Sequence, residues 1–237
     1  MAVQEATYHD LAQRWKALRS GGVRVREVAC VGAPRTLLCV ECGGHTLPEV
    51  TLTAGVHGDE PAGPHALLDL LERDLLDPRF SYRIWPCTNP SGYDARTRES
   101  AEGCDVNRTF GRGGGSPEAK AIVTANRDRK FALALDLHED DEATGFYCYE
   151  YGSAGIGGAI LDAVAASGVP IDPRGHLRPD PIAEAEALGG LSLSLLLIRN
   201  AAPRVLTFET ASGRPFDERV ATHVLAVRSA LSQAIVK

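Results

Sequence analysis

The spacing of apolar positions changes period several times along the chain, and each change predicts an element. Over residues 5–19, Tyr8, Leu11, Trp15 and Leu18 recur on one face, which predicts an amphipathic helix stopped by Gly21-Gly22. Three β-like stretches follow at 23–30, 35–42 and 49–56, punctuated by Pro34 and Gly43-Gly44. A helix is expected over 63–76 and a strand over 82–87. Residues 88–117 have no apolar period and are rich in Gly, Pro, Ser, Asn and Arg, the signature of a long functional loop. Beyond it the pattern predicts a helix at 117–129, a buried strand at 131–137, a strand at 145–151 and a helix at 154–166. Residues 168–190, broken by Pro170, Pro173, Pro179 and Pro181, read as irregular. A strand at 204–210 leads into a closing helix at 215–235, where Phe216, Val220, Val224, Val227, Leu231 and Ile235 recur at helical spacing.

Strands alternating with helices predict an α/β fold: a mixed, mainly parallel twisted sheet between two helical layers. No repeat, linker or low-complexity segment divides residues 1–237, so one domain is expected.

Composition narrows the function. With 44% hydrophobic and 24% charged residues the chain is ordinary globular material. The formal charge of −6, without a basic block, argues against a nucleic-acid partner. The longest apolar run, Leu191 to Ile198, is too short for a membrane span, and the N-terminus lacks the features of a signal peptide. Six sparse cysteines then point to reduced thiols and a cytoplasmic location. Cys39-Val40-Glu41-Cys42 is a CxxC in a β-like run, where the two cysteines face opposite sides; buried free thiols are expected.

Candidate chemistry gathers at strand ends. The third strand runs into Gly55-Val56-His57-Gly58-Asp59-Glu60, and ligands collect at the carboxyl ends of strands in open α/β sheets. His57 and Glu60 supply two-thirds of a His₂Glu zinc set; read alone, HxxE fits a solvated helix start equally well. The strand FALALDL ends in His138, a candidate third ligand, with Asp136 on the same face to orient its imidazole. The other histidines (His9, His45, His65, His176 and His223) read as surface or packing residues. The run Glu139-Asp140-Asp141-Glu142 reads as a solvated turn; the alternative is an acidic patch that repels anionic substrates or favours basic ones. In the long loop, Arg96, Arg98 and the pair Asn107-Arg108 offer forks and amides suited to a carboxylate or an oxyanion. Glu209 ends an apolar strand, where a carboxylate has no packing role; a strand-end surface charge is the alternative reading.

The ordered set GVHGDE, NPSG…TRESAEGCDVNRTF, DLH and TFET, over about residues 50–210, resembles the zinc carboxypeptidase (M14) superfamily. The likeness is nearest to its short branch, with murein-peptide amidases and the neighbouring succinylglutamate desuccinylase/aspartoacylase proteins. The resemblance implies one zinc held by His57, Glu60 and His138, Arg98 at the oxyanion, Asn107 with Arg108 on a substrate carboxylate, and Glu209 as general base. It implies a metallocarboxypeptidase or amidopeptidase acting on a small peptide. The alternatives are a deacylase of N-acyl amino acids and a catalytically silent binding protein with the same fold. The NRTF loop, and the single helix after Thr210 in place of a further β-domain, favour the peptidase. Ser91 and Thr109 depart from the family's usual Asp and Asn, and no tyrosine after Tyr151 can serve as the larger enzymes' mobile-loop tyrosine.

Overall fold

The computed structural model describes residues 6–18, 22–111, 115–152, 155–200 and 202–234. In chain order the elements are α1 (Tyr8–Ala17), β1 (Arg24–Val28), β2 (Leu37–Cys42), β3 (Glu49–Ala54), α2 (Ala62–Glu72), β4 (Ser81–Trp85), α3 (Pro90–Ala95), α4 (Pro117–Ala125), β5 (Leu133–Asp140), β6 (Phe146–Gly152), α5 (Gly157–Ala166), β7 (Ile171–Leu177), α6 (Pro181–Ala187), α7 (Leu193–Arg199), β8 (Arg204–Ala211) and α8 (Phe216–Gln233). The eight strands form one mixed sheet in the order β1-β2-β4-β3-β5-β8-β6-β7. Its centre, β4-β3-β5-β8, is parallel, while β1 and β2 on one side and β6 against β8 on the other run antiparallel. The expected α/β sheet between helices is the fold observed.

Alternation along the central strands makes two cores. Leu52, Ile84, Leu135, Leu137, Leu206 and Phe208 pack against α1, α2, α5 and α8. On the opposite face Trp85, Ala134 and Val205 pack against α4, α7 and the long loop through Phe110 and Val106. Sheet centres buried on both faces read as near-continuous apolar runs, and FALALDL is one.

Several boundaries and two segments differ from the sequence expectation. Residues 168–190 are not irregular: they contain β7, parallel to β6 at the sheet edge, and α6. Pro173 is tolerated because an edge strand need not donate on its outer side. Pro181 opens α6 at its first turn, where Asp180 accepts from the backbone of Ile182 and Ala183. The apolar run at 191–198 is the buried helix α7, capped by Ser192. The 88–117 loop holds α3 and a 3₁₀ turn, Val106–Arg108. Strand β5 continues beyond Leu137 through His138 to Asp140, so the acidic run is no solvated turn. Glu139 is buried against Arg219, and Asp140 accepts from Arg174; Asp141 and Glu142 are the exposed members. Cys39 and Cys42 are free thiols that pack into opposite cores, as their spacing requires. Position 235 of the closing helix and residues 5 and 19 of the first lie outside the described residues.

The loop is pinned where two glycines meet. Gly58 donates to the carbonyl of Thr97 at 2.9 Å, and a Cβ on Gly58 would lie 1.8 Å from the carbonyl carbon of Gly92. Asn89 caps α3 through Gly92 and donates to the carbonyl of Arg98, which ties the end of β4 to the arginine-bearing segment. Overpacking at backbone contact costs about 1–3 kcal/mol or more. Gly58→Ala is therefore expected to lower the urea midpoint by at least that equivalent. Gly158→Ala, where a Cβ meets nothing within 4 Å, should leave stability unchanged or raise it by up to about 1 kcal/mol.

Candidate metal centre and active site

Three parallel strands end at one level. Pairing of β3 with β5 and of β5 with β8 sets His138 directly beside Glu209 and brings the segment after β3 over the end of β5. Gly55, at φ +61°, turns the chain out of β3 so that His57 and Glu60 face back toward His138.

The three side chains are buried and converge. Glu60 Oε1 lies 2.6 Å from His57 Nδ1, and Glu60 Oε2 lies 2.9 Å from His138 Nδ1. The imidazole centroids are 5.0 Å apart, and one donor atom from each of the three residues falls within 4.8 Å of the others. Each imidazole is backed by a carboxylate on its far nitrogen: Asp105 lies 3.5 Å from His57 Nε2, and Asp136 lies 3.2 Å from His138 Nε2. A carboxylate behind a ligating histidine is the usual way to fix its tautomer and raise its basicity. Asp136 is itself held by Thr53 and Ser194. The inward Nδ1 atoms, the carboxylate between them and the outer acids fit a divalent metal, and the arrangement is a candidate metal site.

Each group's charge is set by its neighbours. Burial alone would raise the Glu60 carboxyl, but His138 and His57 beside it hold it well below the usual carboxylate range. Burial works against a charged His138, yet Asp136 and Glu60 push it well above the usual imidazole value.

Glu209 lines the same cavity. Burial, opposed by His138 and reinforced by Glu60, Asp140 and Asp136, pushes its carboxyl up to about 8. Arg98 reaches in from the loop: Nη1 is 3.3 Å from His57 Nδ1, while Nε and Nη2 donate to Asp105 at 3.1 and 2.9 Å. Asn107 is buried in the 3₁₀ turn, and its Oδ1 accepts from the backbone of Leu193. That bond leaves the amide N–H groups for the cavity. Arg108 donates to the Asn107 carbonyl and lines the same space. Seven of the eight residues singled out in the sequence line one cavity of about 240 Å³, and the eighth, Asp136, lies directly behind His138.

Five contributors were given no role in the site from sequence: Asp105, Glu139 and three tyrosines. Asp105, two positions before Asn107, links Arg98 to His57. Burial opposes its charge, but His57 and Arg98 hold its carboxyl well below the ordinary range. Glu139 follows His138 and accepts from the backbone of Ala62 at the start of α2; burial, countered by Arg219, lifts its carboxyl to about 7. Tyr147, Tyr149 and Tyr151 line one wall. Their two-residue spacing in a strand was a legible sign that they share a face, and pairing of β6 with β8 sets Tyr147 opposite Glu209.

Known proteins share this fold. The crystal structure of a protein from Shewanella denitrificans OS217, assigned provisionally as a metallopeptidase, superposes with a TM-score of 0.78 at 21% identity, covering 96% of this chain and 88% of that one. A metallo-carboxypeptidase from Burkholderia cenocepacia gives 0.73 at 17% identity, covering 94% and 68%. At such identities the likeness speaks for the fold. Carboxypeptidase SOL1 of Arabidopsis thaliana is 32% identical over 111 residues, 38% of this chain and 23% of the plant protein, so the chain matches under a quarter of that relative's length. The profile of the succinylglutamate desuccinylase/aspartoacylase catalytic domain matches residues 46–235, and the chain belongs to that family.

Proposed function

We propose that the protein is a zinc-dependent hydrolase that cleaves an amide bond next to a residue with a free carboxylate, in the manner of a metallocarboxypeptidase or amidopeptidase. The observation that carries this reading is the convergence of His57, Glu60 and His138 with Glu209 beside them and Arg108 in the same cavity. Those three residues would hold a zinc ion, whose Lewis acidity would act on water and on the scissile carbonyl.

The chain's own groups do the rest. Asn107 and Arg108 hold the substrate carboxylate, the arginine by a directional two-point contact. Arg98, fixed by Asp105, directs its guanidinium at the oxygen on which negative charge develops. Glu209 Oε takes a proton from the attacking water and returns it to the amide nitrogen as the C–N bond breaks, leaving a free amine and a second carboxylate. Its raised proton affinity suits both transfers. The buried ring of Asp136, Thr53 and Ser194 keeps His138 in one orientation throughout.

A second reading, a deacylase releasing an amino acid from an N-acyl group, uses the same centre and is favoured by the family match over residues 46–235. In both, the partner is a small peptide or acyl amino acid. The two differ in what lies on the acyl side of the bond, and a panel of peptides and N-acyl amino acids separates them.

The metal assignment is tested by plasma emission analysis: about one zinc per chain is expected. Glu60→Ala or His138→Ala should lose it, while folding is followed by circular dichroism. Stoichiometric zinc retained in both variants would place the metal elsewhere.

Glu209→Gln keeps the shape but cannot take a proton. Zinc content should be unchanged and kcat should fall about 10²–10⁴-fold, the usual weight of a general base. A variant within threefold of wild type, by the same assay, would remove Glu209 from the role.

The carboxylate anchor is tested with free-acid and amidated forms of one substrate. Wild type should prefer the acid, Arg108→Ala should lose most of that preference, and Arg108→Lys should restore little of it, because an ammonium cannot reproduce the guanidinium fork. Equal wild-type rates on both forms would exclude carboxylate anchoring.

A further inference from the structure

Helix α6 finds little to bury itself against in its own chain. None of its residues, Pro181–Ala187, is buried, and only the half-buried Ala185 leans on the core. Ile182 stands 73% exposed; among the described residues Val31 is the one other large hydrophobic side chain left so open. A helix of two turns does not persist on propensity, because helices in proteins are held mainly by burying an apolar face. Beside it, α7 buries Leu193, Leu195 and Leu197. Between the two helices runs an open groove of about 620 Å³, against about 240 Å³ for the catalytic cavity. Its apolar lining is Pro181, Ile182, Ala185, Leu191, Leu195 and Ile198.

The charges on this face select its occupant. Glu186 of α6 and Arg199 at the end of α7 also line the groove; both are exposed, and among the described residues neither forms an ion pair. One charge of each sign, an exposed Ile182 and an apolar groove on a single surface make that surface complementary to itself. A two-fold axis through it sets Glu186 of one copy against Arg199 of the other, and the reverse, while each Ile182 meets the other copy's groove. An anionic membrane would call for a basic rim, whereas this rim is balanced and the chain carries a formal charge of −6.

We propose that a second copy of this chain covers the α6–α7 face, in a two-fold dimer where Ile182 of each copy enters the groove of the other and Glu186 pairs with Arg199 twice. Such a dimer stands whether or not the chain is a hydrolase. It also bears on the catalytic cavity. Leu193 donates to Asn107 Oδ1, and the Leu191 carbonyl accepts from the backbone of Phe110. A copy seated on α6 and α7 therefore backs the segment that carries Asn107 and Arg108.

Sedimentation velocity of the full chain over a concentration series reads the dimer directly, with circular dichroism to follow folding of each variant. Wild type should pass from monomer to dimer with a Kd in the micromolar range. Ile182→Glu, which places a charge in the apolar contact, should raise that Kd at least about tenfold. Glu186→Arg and Arg199→Glu each set like charges together at both symmetry-related positions, and each alone should weaken the dimer. An equimolar mixture of those two variants should recover it, because each copy then carries the charges that the other lacks. A wild type still monomeric at about 100 µM, a dimer that Ile182→Glu leaves intact, or a mixture of the charge variants that stays monomeric would each overturn the proposal. Flotation with phosphatidylserine vesicles supplies the competing outcome: a monomer that floats, and no longer floats after Ile182→Glu, would overturn the dimer and give this face to a lipid surface.

Discussion

Glu60 is the residue on which the centre of the molecule depends. A carboxylate buried without partners costs several kcal/mol, and this one is held by two imidazoles and the backbone N–H of Glu139. Those partners come from two chain segments that meet only because β3 and β5 are neighbouring parallel strands. The sheet order therefore does chemical work: any register slip between β3 and β5 would leave three buried ionisable groups without one another. The same pairing, carried one strand further, sets Glu209 beside His138.

Around this centre the structure repeats a single device, a buried charge paired with its opposite on another element. Glu139 joins the start of α2 to α8 through Arg219. Asp140 joins the end of β5 to Tyr147 of β6 and Arg174 of β7, and the Arg174 guanidinium lies 4.0 Å above the Tyr147 ring. At the opposite end of the sheet the fully buried Arg83 is paired with Glu41 and lies 3.5 Å from Glu49, binding β4 to its neighbours on both sides. Such pairs contribute little net stability, since desolvation offsets most of the attraction, but removing one partner strands the other. They fix alignment at the strand ends, where backbone hydrogen bonding alone permits fraying.

Much of this was legible in the sequence because parallel central strands are apolar on both faces. FALALDL and the run before GVHGDE stand out for that reason, and their ends mark the site. The candidate ligands could be read because His and Glu have no packing reason to occupy such ends. The rest was hidden for identifiable reasons. Around Pro170 to Pro181 the prolines suggested disorder of pattern, yet Pro173 lies in an edge strand and Pro181 in a first helical turn, the two settings where a missing N–H costs nothing. The acidic run after His138 looked solvated because its partners, Arg174 and Arg219, lie 34 and 80 residues away. Pairing at that distance leaves no local periodicity to read. Asp105 was passed over beside the more conspicuous Asn107 and Arg108.

The least legible part of the site is also the part that sets it apart. Segment 181–199 builds the wall opposite the loop: Leu193 donates to Asn107, Thr109 bridges to Leu191, and Glu184 meets Tyr151. These contacts let two short helices hold Asn107 and its neighbours from behind. The same segment also reaches the centre, since Ser194 of α7 donates to Asp136 behind His138 and shares a hydrogen bond with Thr207 of β8. The sheet fixes where His57, Glu60, His138 and Glu209 meet, and α6 and α7 close the cavity on the side away from it.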